Sequence, residues 1–115
     1  MEPQTPRPVI ATEHWTNKGA VRLFLYRKHL RGAAAPAGSI LFVHGSSMAS
    51  QPTFDLQVPG RPDSSVMDWF AARGFDTWCL DNEGYGRSDK QRPINFDISN
   101  GADDLLAASE FIFNQ

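Results

Sequence analysis

A histidine lies close to two serines in the stretch HGSS, where Gly45 separates His44 from Ser46 and Ser47. A histidine that acts as general base for a neighbouring serine is a common way to activate a hydroxyl for covalent catalysis. Such a base also needs a third group that orients its imidazole, and no side chain in this stretch is evidently placed to do so. We therefore do not expect His44 to be a catalytic base.

A second stretch, DNEGYGRSD at 81–89, raises the alternative of a phosphate-binding loop. A dinucleotide-binding fingerprint needs a third glycine after Gly84 and Gly86, and a helix that opens directly after the first strand. Here Asp89 takes the place of that glycine, and the next predicted helix begins only about 13 residues later. We instead predict a turn whose own amides and charges are bound by Asp81, Arg87, Ser88 and Asp89. By position alone, Asp81 is also a candidate catalytic carboxylate.

The first half of the sequence predicts a β-hairpin and then a buried strand. Residues 9–16 and 20–30 flank a turn at 17–19, and alternating apolar residues in the second arm are typical of a strand with one buried face. The run ILFV at 40–43 is apolar throughout, which favours a strand covered on both faces of a parallel sheet. In the long loop at 45–62, Phe54, Leu56 and Val58 could equally wall an acyl pocket or be ordinary packing.

The second half predicts a helix, a strand and a second helix. The helix at 66–73 has capping residues at 63–65, Gly74 at its end, and a stripe formed by Val66, Trp69, Phe70 and Arg73. A strand at 75–81 follows. The second helix, at 102–113, would be capped by Ser99 or Asn100, with Asp103 and Asp104 in its first turn. Its predicted face consists of Ala102, Leu105, Leu106, Ser109, Ile112 and Phe113. The order β-β-β-α-β-α indicates an α/β fold with right-handed crossovers.

Composition limits the classes of partner. The 115 residues are 41% hydrophobic and 21% charged. The net charge is −2, and the lysines and arginines are scattered along the sequence, which favours neither a nucleic-acid nor a membrane partner. The start, MEPQTPRPVI, lacks the apolar core of a signal peptide, so we expect a cytoplasmic protein. Residues 1–8 are predicted to be a flexible tail, residues 9–115 a single domain, and the one cysteine, Cys79, a buried apolar residue.

The order of the motifs carries a resemblance to a known family. An apolar strand leads into HG, the helix MDWFAARG follows, and the next strand leads into D-x-x-G-x-G-x-S, here Asp81, Gly84, Gly86 and Ser88. In this the chain, over residues 9–114, resembles the amino-terminal part of an α/β-hydrolase-fold protein. The resemblance implies that His44 and Gly45 are structural, as are the four residues of the second motif. It also implies that the backbone N–H groups of Ser46 and Ser47 contribute to an oxyanion hole.

The catalytic half of such a hydrolase is missing from the sequence. The family's nucleophile sits in a G-x-S-x-G elbow on the strand after the second helix, and this sequence contains no such elbow. The resemblance therefore implies an amino-terminal fragment of a serine-type α/β hydrolase, inactive alone, with no catalytic residue of its own. The intact protein would hydrolyse an ester, thioester or lactone, a small-molecule substrate, with no metal or organic cofactor. Epoxide hydrolases, haloalkane dehalogenases and cofactor-free haloperoxidases share these motifs, so the reaction type stays open.

Two further interpretations stay open. The chain could be a short non-catalytic isoform or interaction module, or one chain of a split hydrolase that pairs with the missing carboxy-terminal part. In the family's strand order, the strand at 40–43 lies between the strand at 75–81 and the missing nucleophile strand. One edge of this apolar strand would then be unpaired, which predicts that the 115 residues alone associate or remain molten.

Overall fold

The computed structural model describes residues 8–32, 36–45, 49–61, 64–90 and 97–115. It contains four strands: β1 (Val9–Lys18), β2 (Val21–Leu30), β3 (Ser39–Val43) and β4 (Asp76–Leu80). Its three helices are α1 (Ser50–Phe54), α2 (Val66–Ala72) and α3 (Ile98–Phe113). No helix in these ranges is both long enough and apolar enough to cross a membrane. The predicted tail lies outside the described residues, apart from Pro8.

The strands form one mixed sheet in the order β1-β2-β4-β3. β1 and β2 are an antiparallel hairpin, β2 runs antiparallel to β4, and β3 runs parallel to β4. The predicted α/β class, with an opening hairpin and then parallel strands, is confirmed. The hairpin turn is tighter than predicted: Lys18 still pairs with Val21 in the ladder, and Gly19 takes a φ of +60°.

The two longer helices cover opposite faces of the sheet. Leu41 packs into a core cluster with Leu23, Trp78 and Ala108 of α3, whereas the ring of Phe42 contacts Phe70 of α2 at 6.1 Å between centroids. Because successive side chains of a strand point to opposite faces, α3 lies on one side and α2 on the other. Burial is deepest at the centre, since every residue of β4 is buried.

Full burial of β3 is not observed. Ser39 and Val43 are exposed, and the three residues between them are only half-buried. β3 lies at one end of the sheet, and within the described part of the chain it pairs with β4 alone. The run ILFV led us to expect cover on both faces, and a strand at the end of the sheet has less cover than β4, which lies between β2 and β3. Within the described residues, the unpaired edge of β3 agrees with the strand order that the resemblance implies.

The helices also differ from prediction. The loop at 45–62 contains the short α1. Ser65 caps α2 as predicted, since its Oγ accepts the Asp68 N–H at 3.0 Å, but the buried residues are Met67 and Ala71, and Val66 and Trp69 are exposed. A short helix against a sheet buries the side nearest the strands, and apolar residues on its outer side misled the periodicity.

Helix α3 begins earlier than predicted and is rotated. Its N-cap is Asp97, whose carboxylate accepts the Asn100 N–H at 2.9 Å, so neither Ser99 nor Asn100 is the cap. Asp104 and Ala108 are buried, whereas Leu105, Leu106 and Phe113 of the predicted face are exposed. Asp104 therefore lies beyond the first turn, where it makes a buried ion pair that fixes the rotation of the helix.

Candidate functional site

Two loops meet where β3 and β4 end. β3 leads into His44 and Gly45, and β4 leads into the loop 81–90. Because β3 and β4 are parallel, both loops leave the same edge of the sheet, which is where α/β proteins place their ligand sites. The contact between them is a hydrogen bond from the Asn82 N–H to His44 Nε2, at 3.1 Å.

The imidazole of His44 is fully engaged. Its side chain is buried, with 8% of the residue exposed, and its ring lies 4.8 Å from that of Tyr85. Nδ1 donates to the Gly45 carbonyl at 2.6 Å, while Nε2 accepts from Asn82. This pattern fits the neutral imidazole with its proton on Nδ1. His44 thus joins the two loops through their backbones, and its Nε2 is not free to take a proton from a serine.

Asp81 makes a second connection at this edge. Its carboxylate is buried; Oδ1 accepts the Ser50 N–H at 2.9 Å and Oδ2 accepts the Arg87 N–H at 3.1 Å. Ser50 also donates its hydroxyl to the Leu80 carbonyl. Asp81 therefore ties the start of α1 to the loop 81–90. With its oxygens directed at these backbone amides, it is placed to hold the loops and not to act on a substrate.

Local contacts explain why glycine occurs at positions 84 and 86 and serine at position 88 of the second motif. A Cβ on Gly86, which has a φ of +51°, would lie 2.2 Å from Asp81 Oδ2, so only glycine fits beside this carboxylate. Gly84 has a φ of +89° and donates to the Asp89 carbonyl at 2.9 Å. Ser88 Oγ accepts the Phe24 N–H at 2.8 Å and donates to the Asp81 carbonyl. The loop is thus attached to β2.

Several predicted site features are placed away from this edge or are not described. Ser46 and Ser47 lie outside the described residues, and Gly45 beside them is exposed. Arg87 pairs with Glu13 and lies over the ring of Phe24 at 4.7 Å, so its guanidinium faces the hairpin and not a phosphate. Burial raises the pKa of the Cys79 thiol, which makes it unreactive. Among the described ranges, no group of three or more His, Cys, Asp or Glu side chains could hold a metal ion.

The three residues considered for an acyl pocket have different surroundings. Phe54 stacks on Phe42 with 5.0 Å between centroids and is packing, while Leu56 and Val58 are exposed. Two open cavities are found elsewhere. One of about 480 Å³ lies beside β3 and α3, lined by residues that include Ile40, Asp76 and Phe113. The other, of about 500 Å³, lies between the hairpin and α2.

Sequence reasoning missed a buried ionic cluster next to this edge. Lys18 Nζ lies 2.8 Å from Glu83 Oε1 and 2.5 Å from Asp104 Oδ1, and Asp104 Oδ2 accepts the Glu83 N–H at 2.9 Å. Burial lowers the pKa of Lys18, but its hydrogen bonds to Asp104 and Glu83 more than offset this, and the net pKa is raised. The available signal was the alternation of β1: extended to Lys18, it places this lysine on the α3 face, opposite Val21.

A second cluster lies at the other end of the hairpin, on the α2 face. Lys28 Nζ lies 2.7 Å from Asp55 Oδ1 and 2.8 Å from Asp68 Oδ1. Burial lowers the pKa of Lys28, but hydrogen bonds to the two carboxylates more than offset this effect, and the net pKa is raised. Lys28 pairs with Thr77 in the sheet, near the amino end of β4, so this cluster lies away from the loop 81–90.

Comparison with known proteins identifies the fold. No family model and no curated protein matches this sequence. A predicted CIB-like hydrolase from Thermoplasma acidophilum is similar in structure, with a TM-score of 0.57 and 19% identity, over 89% of this chain and 47% of that one. A bromoperoxidase from Bacillus anthracis gives a TM-score of 0.57 at 18% identity, over 88% and 31%. A haloalkane dehalogenase from Agrobacterium tumefaciens gives 0.55 at 18%, over 87% and 28%.

At 18–19% sequence identity, these structural similarities establish the fold alone. The chain spans less than half the length of each of these solved structures. The matches cover 87–89% of this chain. The chain therefore has part of the α/β-hydrolase fold, as the order of its motifs indicated.

Proposed function

We propose that this chain is the amino-terminal part of a serine-type α/β hydrolase that cleaves an ester, thioester or lactone. In this proposal it contributes an oxyanion-hole loop, with the backbone N–H groups of Ser46 and Ser47 as donors. The nucleophile, the acid and the base would come from chain beyond this sequence. Alone, the 115 residues would be inactive.

The observation that carries the proposal is the anchoring of the chain on both sides of the two serines. On one side, the Gly45 carbonyl is held by His44 Nδ1; on the other, the Ser50 N–H is held by Asp81. An oxyanion hole works because its donors are fixed before charge develops, so that no reorganisation is needed in the transition state. The described residues on each side of the two serines are held in place at the carboxyl edge of a parallel strand pair, which supports the proposal.

Acyl transfer is the reaction that best uses such a loop. When a serine attacks an ester carbonyl, negative charge develops on the carbonyl oxygen of the tetrahedral intermediate, and backbone N–H groups stabilise it. The acyl-enzyme is then hydrolysed by water. The similar structures include a bromoperoxidase and a haloalkane dehalogenase, so the fold by itself does not select the substrate.

The inactive state of the chain alone is tested with a fluorophosphonate probe and p-nitrophenyl acetate. We expect no covalent adduct by mass spectrometry and no turnover that depends on a serine. An adduct on Ser46 or Ser47, with turnover lost in the corresponding alanine variant, would show that HGSS contains a nucleophile and would overturn the proposal.

The oxyanion role is tested by removing a backbone N–H. In a chimera that joins this chain to the carboxy-terminal part of an α/β hydrolase, Ser46→Pro removes the amide proton, whereas the control Ser46→Ala removes only the hydroxyl. We expect Ser46→Pro to lower kcat by about 10²–10³-fold and Ser46→Ala to change it by less than about threefold. Equal activity of the two variants would exclude Ser46 as a donor, and the same pair at Ser47 tests the second donor.

A second candidate rests on the free edge of β3. This strand has β4 as its neighbour within the described sheet, and its residues Ser39–Val43 carry no charge that would discourage pairing with another strand. A non-catalytic short isoform, an interaction module or one chain of a split hydrolase would use this edge for β-addition. We expect the chain to associate in sedimentation experiments and Val43→Lys to reduce association; a monodisperse monomer with a cooperative melt would contradict this.

Restored activity after mixing with a separate chain that carries the triad would favour the split hydrolase. Stable complex formation without activity would favour the interaction module.

A further inference from the structure

The buried cluster of Lys18, Glu83 and Asp104 is next in the chain to the contact between the two loops, because Glu83 directly follows Asn82. Lys18 comes from the end of β1, Glu83 from the loop after β4, and Asp104 from α3. Their side chains are 16%, 2% and 0% exposed, respectively. Three segments distant in sequence thus meet at one point in the carboxyl-edge half of the sheet.

Two consecutive backbone amides connect this cluster to His44. The Glu83 N–H donates to Asp104 Oδ2 at 2.9 Å, and the N–H of the preceding residue, Asn82, donates to His44 Nε2 at 3.1 Å. The peptide plane between Asn82 and Glu83 carries the Glu83 N–H, so a hydrogen bond to that N–H restricts the rotation of the chain beside Asn82. The Asn82 N–H itself belongs to the Asp81–Asn82 peptide, whose carbonyl accepts the Ser88 hydroxyl, so Asp104 and Ser88 together hold the backbone on both sides of Asn82.

The ion pairs of Lys18 with Glu83 and Asp104 help to keep Asp104 in place. Two buried carboxylates lie next to each other, and Lys18 is the cation that contacts both of them. Without that cation, the two carboxylates would repel each other in an environment with little water, and one of them would have to move or take up a proton. Displacement of Asp104 would release the Glu83 N–H from its acceptor, and protonation of Asp104 would weaken that hydrogen bond.

We propose that Lys18, Glu83 and Asp104 are positioning residues for the HG loop: they hold the Glu83 N–H and so help to fix the backbone at Asn82, whose own N–H holds His44, which in turn holds Gly45. The effect on catalysis rests on the proposed function, whereas the effect on His44 does not. None of the three contacts a substrate in this proposal. They act through the backbone of the second loop.

The Lys28 cluster supplies a matched control. It also places one lysine between two carboxylates, but it lies on the α2 face near the amino end of β4. Lys28→Met therefore removes a similar buried charge without touching the loop 81–90. The comparison of Lys18→Met with Lys28→Met separates positioning of the HG loop from general loss of stability.

The test measures His44 directly in the 115-residue chain by ¹⁵N NMR of the ring nitrogens, together with hydrogen exchange of the Asn82 amide. In the unmodified chain we expect one protonated nitrogen, Nδ1, and a slowly exchanging Asn82 amide. In Lys18→Met we expect the two ring nitrogens to approach a common averaged shift and Asn82 exchange to accelerate at least about tenfold. In Lys28→Met, both signals stay at their original values.

Three results would overturn the proposal: averaged ring nitrogens in the unmodified chain, equal changes in the two lysine variants, or no change in Lys18→Met. If Lys18→Met does not fold, Asp104→Ala removes the acceptor of the Glu83 N–H and leaves the Lys18–Glu83 pair. It should still accelerate Asn82 exchange, and an unchanged rate would count against the proposal.

Activity of the chimera is read separately. There, Lys18→Met should lower kcat with little change in KM, and Lys18→Arg should recover part of the loss. If the NMR changes occur in the chain but kcat in the chimera is unaffected, the positioning of His44 stands and the proposed oxyanion role fails.

Discussion

The two ends of the hairpin carry the same arrangement, one lysine between two carboxylates, in different surroundings. At the carboxyl edge of β4, Lys18 joins the loop after β4 to α3. Toward the amino end, on the other face, Lys28 joins the loop after α1 to α2. Both clusters attach a helix and a loop to the hairpin, and so each explains why the hairpin is a fixed part of the fold.

The clusters differ in how their negative charge is shared. Asp55 Oδ1 also accepts from Ser65 Oγ at 2.6 Å and from Gln57 Nε2 at 2.8 Å, and Gln57 reaches Asp68 Oδ2 at 2.9 Å. In addition, the Asp68 side chain is 29% exposed and keeps contact with water. Neutral donors and water therefore relieve the Lys28 cluster, whereas the side chains of Glu83 and Asp104 are almost completely buried.

The largest effect expected from this difference is on stability. Lys18→Met leaves two buried carboxylates without their shared cation and should cost about 3–5 kcal/mol of unfolding free energy. Lys28→Met should cost about 1–3 kcal/mol, because Ser65 and Gln57 remain as donors. Urea denaturation of the two variants measures both values, and an equal or larger loss for Lys28→Met would contradict the comparison.

A smaller effect is expected from the glycines of the same carboxyl edge. Gly86→Ala places a methyl group 2.2 Å from Asp81 Oδ2, so the carboxylate must move away from the amides of Ser50 and Arg87. With the unfavourable φ included, the cost should be about 2–4 kcal/mol.

Gly84→Ala is the matched control. Its φ is also positive, but nothing lies within 4 Å of the added Cβ, so only the backbone term applies, about 1–2 kcal/mol. Thermal melts of the two variants separate steric from backbone effects. If Gly84→Ala is as destabilising as Gly86→Ala, the close approach to Asp81 does not matter.

The sequence was sufficient for the order of the strands and the two longer helices because local signals specify them. The alternation in β2, the Ser65 cap, the HG pair after β3 and the loop motif after β4 each depend on neighbours in the chain, and each appears in the structure at the expected place.

The sequence was insufficient where contacts between distant segments decide. Leu105 and Leu106 predicted the inner face of α3, but the pair between Lys18 and Asp104 turns the helix so that these leucines are exposed. Periodicity weighs apolar residues and gives no credit to a buried ion pair. A charged residue at the inner position of a helix has a recognisable reason only once its partner is known, and Lys18 lies 86 positions away, since 104 minus 18 is 86.

The smallest effect expected concerns pH and the more exposed of the two clusters. Burial raises the pKa of Asp68, but hydrogen bonds from Lys28 and Gln57 outweigh this and lower it below 3.8. A carboxyl group with a lowered folded pKa stabilises the protein above its unfolded pKa, and this contribution is lost as the pH falls through the folded pKa. Asp68→Asn should therefore reduce stability by about 1 kcal/mol near neutral pH and by progressively less below pH 3.8.

The Lys28→Met background tests whether this acid dependence belongs to the cluster. Because Lys28 makes the largest hydrogen-bonding contribution that lowers the pKa of Asp68 and adds a coulombic one, Asp68→Asn should lose part of its pH-dependent effect once the lysine is absent. Melting temperatures of the four variants, measured from neutral to acidic pH, complete the cycle. The pKa values of Lys18 and Lys28 are both raised above 10.5. Their contributions to stability are therefore fully present from neutral to acidic pH and are lost only as the pH rises through the raised pKa of each lysine. An acid-dependent difference that survives in the Lys28→Met background would place the charge that matters outside the cluster.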